Sequence, residues 1–165
     1  MRDLRDEVGE TVLIGKRLGT SGIILEQVPG RHPVKVMVET GFRFPLHCSA
    51  PGKVFLAYLP EYEAKDVLSK LEYEAYTEKT ITGRRSLEEA LLKVKQLGYA
   101  VDNEEEIIGV TCVSCPLFNS WGYPVAALWV TGPKARLYET VFDKVGKVIA
   151  YYAGKISATL GYSSS

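Results

Sequence analysis

The sequence predicts an α+β fold in which helices cover a central antiparallel sheet. β-branched and aliphatic segments follow one another across short turns near the start of the chain and again after residue 98, which is typical of antiparallel strands. Amphipathic stretches with helical spacing lie between and after these two groups. The 165 residues are 46% hydrophobic, and a chain of this length buries roughly 70% of its unfolded surface, so we expect one domain with its own core.

The first part of the chain is predicted to contain one helix end and three strands. Leu4 and Val8 lie four residues apart among charges, which indicates the end of a helix that Gly9 would terminate. The stretch Gly19–Gly22 separates two β-rich segments and predicts a hairpin turn. A further strand is expected after Pro33. The predicted strands are residues 11–18, 22–28 and 34–39.

The middle of the chain is predicted to be helical. Ser49 can cap a helix whose first turn contains Pro51, and that helix ends at Leu59-Pro60. A second helix is predicted at 61–70, followed by a charged surface excursion over 72–85. Ser86 begins a capping-box pattern, which predicts the start of an amphipathic helix that ends at Gly98.

The last part of the chain predicts three more strands and a long helix. The strands are expected at 99–102, 108–118 and 123–131, with a turn over 119–122. The last two strands are apolar on both faces, so we expect them in the middle of the sheet with material on each side. Gly132-Pro133 is predicted to start the long C-terminal helix, whose apolar stripe is Val141, Val145, Val148, Ile149, Tyr152 and Ile156.

Composition narrows the classes of function. The 20 Lys and Arg balance the 20 Asp and Glu, so the chain has no basic footprint of its own for nucleic acid. No stretch reaches the roughly 18 apolar residues of a membrane span, and the charged first residues do not resemble a secretory signal. The three cysteines are an odd number, which argues against a disulfide framework. We therefore expect a cytoplasmic protein with reduced thiols, no membrane contact and no cofactor.

The cysteines and histidines form no recognisable catalytic or metal motif. Cys112 and Cys115 have redox-motif spacing, but residues three apart on a strand point to opposite faces, so a disulfide or a shared metal is not expected. No zinc-finger spacing involves His32, His47 or Cys48, and no nucleophile elbow is present. A thiol enzyme that uses Cys112 or His47 remains one alternative.

Two local patterns suggest a small-molecule site. Residues Ser49–Lys53 open a helix, where free N–H groups and the helix dipole can hold a carboxylate, although simple helix capping explains the same pattern. Asp102 ends a strand beside the central sheet, so its carboxyl group can face inward. The three glutamates at 104–106 are interpreted as a solvated turn.

Three segments resemble the C-terminal effector-binding domain of the IclR family of transcription regulators. LHCSAPGKVFLAYLP at 46–60 is similar to that family's LHATALGKALLA segment. The block at 98–133, GYAVDNEEEIIGVTCVSCPLFNSWGYPVAALWVTGP, is the longest and most specific match, and VPGRHPVKVMVETGFRFPLH at 28–47 matches a third run. Order and spacing agree from about residue 1 to residue 160.

The resemblance implies a GAF-like (profilin-like) α+β domain: a central antiparallel sheet of about six strands with helices on both faces. It implies a sensor rather than an enzyme, which binds a small organic acid or aromatic metabolite and forms a homodimer or tetramer. DNA would be bound through an N-terminal winged helix-turn-helix that this chain lacks. Residues 1–10 would be the end of a linker helix, 11–162 the effector-binding domain and 163–165 a disordered tail. A ligand-free structural dimerisation domain is the other alternative.

The resemblance also implies the residues of the effector site. The helix start would hold the ligand's carboxylate, and strand residues would line the opposite wall. The implied residues are Met37, Ala50, Pro51, Gly52, Asp102, Cys112, Trp129 and Thr131. Two of them depart from the family pattern: Pro51 removes one N–H donor, and Trp129 replaces a small residue. We therefore expect a reshaped, more aromatic pocket or a plugged one, and weak binding of pyruvate.

Overall fold

Six antiparallel strands form one sheet in this structure, a computed structural model that describes residues 1–163. The order across the sheet is β3-β2-β1-β6-β5-β4. The predicted six-stranded α+β architecture is therefore confirmed. The strands are β1 (Thr11–Leu18), β2 (Ser21–Val28), β3 (Arg43–Pro45), β4 (Ala100–Asn103), β5 (Val110–Phe118) and β6 (Pro124–Pro133). The helices are α1 (Arg2–Val8), α2 (Ala50–Tyr58), α3 (Glu61–Lys70), α4 (Arg84–Leu97) and α5 (Phe142–Thr159), with a short 3-10 turn at Glu139–Val141.

Helices cover both faces of the sheet, and each face has its own core. Because side chains alternate along a strand, Leu13 and Trp129 face α2, while their neighbours Val12 and Val130 face the other way. The first core contains the apolar side of α2 with parts of α3 and α4. The second core contains Leu4 of α1 and the stripe of α5. These two cores explain why β5 and β6 carry apolar residues on both of their faces.

The third strand was predicted at the wrong place. Residues 34–39 form no strand, and β3 is instead Arg43–Pro45, which pairs with β2. Side chains of neighbouring strands hold the 34–39 segment. The Thr11 hydroxyl donates to the Val36 carbonyl at 2.7 Å, and the Gln27 amide both accepts from the Val38 N–H and donates to the Val38 carbonyl. These bonds satisfy the backbone without a strand ladder.

Two helix starts were also predicted incorrectly. Helix α4 begins two residues before Ser86, after Gly83, and no side chain caps it. The long helix does not start at Gly132-Pro133, because both residues continue β6 and pair with β5. The chain then turns, with the Pro133 carbonyl accepting from two following N–H groups, and α5 starts only at Phe142.

Ser49 and Ser86 make a matched test of helix capping. Ser49 Oγ accepts from the Gly52 N–H at 3.1 Å and donates to the Pro45 carbonyl. Replacing Ser49 with alanine is expected to lower the free energy of unfolding by about 1 kcal/mol, whereas Ser86→Ala, in the interior of α4, should change it by less than about 0.5 kcal/mol. Urea unfolding measures both. Equal losses would contradict the assignment of the caps.

No helix among residues 1–163 is long and apolar enough to cross a membrane. Of the predicted tail at 163–165, only Ser163 is described, and it is exposed and outside regular secondary structure. Ser164 and Ser165 lie outside the described residues. The predicted domain boundaries remain predictions.

Candidate ligand-binding cavity

A cavity of about 210 Å³ lies between the first turn of α2, the sheet and the 36–42 segment. A cavity of about 150 Å³ is enough to bind benzene. The walls are mostly apolar and contain a few polar side chains. The lining residues are Leu13, Ile24, Val36, Met37, Val38, Phe42, Phe44, Ser49, Pro51, Asp102, Glu106, Ile107, Val110, Cys112, Trp129 and Thr131.

Strand pairing explains why three of the predicted residues meet here. Asp102 of β4 lies opposite Cys112 of β5, and Cys112 lies opposite Thr131 of β6. Residues paired in this way point to the same face of a sheet, so the three side chains form a row across neighbouring strands. The Cys112 thiol is 3.2 Å from the Thr131 hydroxyl, to which it donates. This row makes the polar part of the cavity floor.

The structure brings six of the eight predicted residues to the cavity. They are Met37, Pro51, Asp102, Cys112, Trp129 and Thr131. Ala50 and Gly52 are buried in the same turn of α2 but are not among the residues that line the cavity. A Cβ atom on Gly52 would lie 2.4 Å from the Leu46 Cα atom, so Gly52 serves the close contact between α2 and the preceding segment.

The start of α2 offers few free donors. Pro51 has no N–H group. The Gly52 N–H is bonded to Ser49 Oγ, and the Lys53 N–H donates to the Ser49 carbonyl at 3.0 Å. The Ser49 hydroxyl hydrogen is used by the Pro45 carbonyl. The N–H groups of Gly52 and Lys53 are therefore in use, and Pro51 lines the cavity without one.

Asp102 is the most deeply buried acid in the cavity wall, with 2% of its surface exposed. One of its oxygens accepts from the Glu105 N–H at 2.7 Å. Burial and the nearby Glu105 carboxylate raise the pKa of Asp102 to about 7, because both disfavour a second negative charge in a dry site. The prediction that this carboxyl faces inward is confirmed.

The interpretation of residues 104–106 as a solvated turn is wrong. Glu105 Oε1 lies 2.5 Å from the Nζ of Lys53, whose side chain is 4% exposed. Glu104 binds Lys79 and Lys134, and these ion pairs lower its pKa to about 2. Glu106 lines the cavity, and burial raises its pKa to about 7. Two of the three glutamates are therefore held in ion pairs, and the third lines the cavity.

Trp129 reshapes the cavity without filling it. Its ring packs edge-on against Phe44, with centroids 5.5 Å apart and an angle of 68° between the planes. Gly15 gives the indole its space, because a Cβ atom there would lie 2.9 Å from the Trp129 Cη2 atom. About 210 Å³ remains open beside it. Of the two expectations, the more aromatic pocket is the one observed.

The predicted separation of the cysteines is confirmed. Cys112 faces the cavity, whereas the Cys115 thiol lies in the second core, 3.6 Å from the Gly146 carbonyl of α5. Burial raises the pKa of both thiols, to about 12 for Cys115.

Within residues 1–163, no group of three or more His, Cys, Asp and Glu side chains is arranged to hold a metal ion. His47 is buried and bonded at Nε2 to the Glu74 carbonyl, away from the cavity.

Several lining residues were missed by the sequence reasoning. Val36, Val38 and Phe42 were not predicted to line the cavity, because residues 34–39 were predicted to form a strand of the sheet. The sequence held no signal for them, because the apolar residues of 34–39 fit a strand equally well. Glu106 and Ile107 also line the cavity, and they were missed because the turn that contains them was interpreted as solvated.

Comparisons with known proteins agree with this architecture. The profile of the family described as Bacterial transcriptional regulator IclR C-terminal matches residues 1–158. The chain is 32% identical over 161 residues to the HTH-type transcriptional repressor AllR of Escherichia coli, covering 98% of this chain and 59% of AllR. It is 33% identical over 162 residues to the HTH-type transcriptional regulator KdgR of Escherichia coli, covering 98% of this chain and 62% of KdgR.

Solved structures give the same result for the fold. The crystal structure of the Thermotoga maritima IclR superimposes with a TM-score of 0.92 at 36% identity, covering 98% of this chain and 65% of that one. The GAF-like fold predicted for this chain is confirmed by this similarity. The chain spans about three-fifths of the length of the two regulators named above.

Proposed function

Because this chain belongs to the IclR family of bacterial transcriptional regulators, whose C-terminal domain it matches, we propose that it binds a small organic effector in the cavity beside Asp102. Binding then changes how a longer regulator binds DNA through a winged helix-turn-helix domain. The chain acts as a sensor and an oligomerisation module, as a homodimer or tetramer, and it catalyses no reaction. We place the regulator in the cytoplasm, because the bacterial DNA that it would bind is there.

The cavity is the observation that carries this proposal. A well-packed core has few voids larger than a water molecule, yet about 210 Å³ remains open between Pro51, Trp129 and the sheet. Two carboxyl side chains, Asp102 and Glu106, line the cavity among mostly apolar residues. Burying such groups costs stability, so their presence supports a binding role.

The two alternatives have less support. A purely structural dimerisation domain has no need of a cavity beside Asp102, and this chain has one. A thiol enzyme needs a thiolate, but burial raises the pKa of Cys112 well above its ordinary value, so the thiol stays protonated at neutral pH. His47 does not line the cavity and therefore cannot serve Cys112 as a base.

A chain of contacts joins the cavity wall to α1. Val36 lies in the wall, and its carbonyl accepts from Thr11, two residues after Gly9 at the end of α1. Arg136 donates to the Val34 carbonyl at 2.8 Å and forms an ion pair with Glu10. A ligand that moves the 34–38 segment therefore pulls on the residues that follow α1. A ligand can shift the conformation only by binding the two states with different affinity.

Filling the cavity tests the proposal. Benzyl alcohol, a neutral probe of suitable size, is expected to bind the chain, and Cys112→Phe should weaken that binding at least tenfold because the new ring occupies the site. Cys112→Ala keeps the cavity open and serves as the matched control. Calorimetry measures affinity, and hydrogen exchange at residues 2–8 reports whether binding reaches α1. Equal affinity for both variants would contradict a binding role for this cavity.

A further inference from the structure

We propose that the effector of this cavity is a compact molecule with a positively charged or N–H-donating nitrogen on an apolar or aromatic body, rather than a carboxylic acid. This inference rests on the proposed function, because it assigns the chemical class of the ligand to the same cavity.

The helix start, where an organic acid would bind, offers few donors to the cavity. A carboxylate at a helix start needs several free N–H groups. In α2, Pro51 has none and faces the cavity, while the N–H groups of Gly52 and Lys53 are bonded to Ser49. The Ser49 hydroxyl hydrogen is also in use. Where this turn lines the cavity, at Ser49 and Pro51, it therefore presents a hydroxyl whose hydrogen is in use and an apolar ring.

No positive side chain is available to replace those donors. Across residues 1–163, no Lys, Arg or His lines the cavity. The buried Lys53 is held at 2.5 Å by Glu105 and lines a different depression in the surface. An acid entering the cavity would thus lose its hydration without gaining a counter-charge, which is strongly unfavourable.

Two carboxyl groups supply the opposite charge. Asp102 and Glu106 both line the cavity. Lys53 donates to Glu105, and no direct bond from Lys53 to Asp102 or Glu106 is found among the described residues. The negative charge around the cavity is therefore only partly compensated. A ligand carboxylate would add a further negative charge, whereas an ammonium group would compensate those already present. Burial raises the pKa of Asp102 and of Glu106 to about 7, and a bound cation would keep both groups ionised.

The rest of the wall suits the body of such a ligand. Trp129, Phe44 and Phe42 place three aromatic rings around the space. The face of an aromatic ring, of tryptophan above all, attracts a nearby cation. With about 210 Å³ available, the body of the ligand is a single ring or a short branched chain.

Three probes of one shape and different charge test the inference: benzylamine, benzyl alcohol and benzoate, titrated calorimetrically at pH 8 into the whole chain. Benzylamine is expected to bind at least tenfold more tightly than benzoate, with benzyl alcohol between them. Benzoate binding as tightly as benzylamine, or more tightly, would overturn the inference and leave the proposed function intact. Binding of none of the three would overturn both.

Variants identify the groups responsible. Asp102→Asn and Glu106→Gln should each lower benzylamine affinity about tenfold and change benzyl alcohol affinity less than about threefold, because only the charge is removed. Glu89→Gln, an exposed acid on α4, is the control and should leave both affinities unchanged. Unchanged benzylamine affinity in both cavity variants would overturn the assignment to these carboxyls.

Discussion

Replacing Asp102 with asparagine is expected to raise the free energy of unfolding by about 2–4 kcal/mol at pH 8. The pKa of Asp102 rises from 3.8 to about 7 in the folded chain, and a tenfold change in the proton affinity of a group on folding corresponds to about 1.4 kcal/mol. Asparagine has the same shape, and its side-chain oxygen can still accept from the Glu105 N–H. The substitution therefore removes the cost of the buried charge and keeps the hydrogen bond.

The pH dependence gives the sign of this effect. Between about pH 4 and pH 7, the folded chain holds a proton on Asp102 that the unfolded chain has released. Stability therefore falls as the pH rises through this window. The advantage of Asp102→Asn should be smaller at pH 5, at roughly two-fifths of its full size, and fully developed at pH 8. Urea unfolding of both proteins at the two pH values measures it.

An exposed acid provides the control. Asp66 on α3 pairs with Lys70 at the surface, and Asp66→Asn should change stability by less than about 0.5 kcal/mol at either pH. If Asp102→Asn destabilised the chain equally at both pH values, the carboxylate would be structural. A variant that is more stable and yet binds the amine probe more weakly is the behaviour expected of a residue kept for binding.

The sequence was most informative where periodicity and strand pairing decide the structure. The apolar residues on both parities of β5 and β6 correctly indicated a central position with a core on each side. Once those strands are in register, Asp102, Cys112 and Thr131 must share a face. The resemblance to the regulator family supplied Cys112, Thr131, Trp129, Pro51 and Met37 as site residues. The residues on β4, β5 and β6 were predictable because they depend on regular backbone geometry, whereas Met37 lies in a segment that forms no strand.

The parts that could not be predicted depend on side chains from distant segments. The 34–39 segment has the composition of a strand, and only the bonds from Thr11 and Gln27 show why it is not one. The glutamate turn resembles a solvated one until Lys53, about fifty residues earlier, is placed beneath it. Local patterns carry no information about such pairs. In α2, nothing distinguishes Lys53 from a lysine at the surface of a helix.

Replacing Lys53 with methionine is expected to lower the free energy of unfolding by about 3–5 kcal/mol at pH 8, because it leaves a buried carboxylate without its partner. Methionine fills the space of the lysine stem. Glu105 would then face Asp102 and Glu106 without a compensating charge, and burial already raises its pKa despite Lys53. The loss should shrink as the pH falls, because protonation of Glu105 removes its unpaired charge. Lys65→Met, which removes an exposed pair with Glu61, should cost less than about 0.5 kcal/mol.

The double variant Lys53→Met with Glu105→Leu separates the ion pair from its burial. If the loss in Lys53→Met comes from the abandoned carboxylate, removing that carboxylate as well should restore most of the stability, because two apolar side chains can replace a buried ion pair at little cost. Urea unfolding of the two single variants and the double variant gives the coupling energy. A double variant whose loss equals the sum of the single losses would show that Lys53 and Glu105 act independently. Recovery, in contrast, would show that the loss in Lys53→Met comes from the unpaired Glu105 carboxylate.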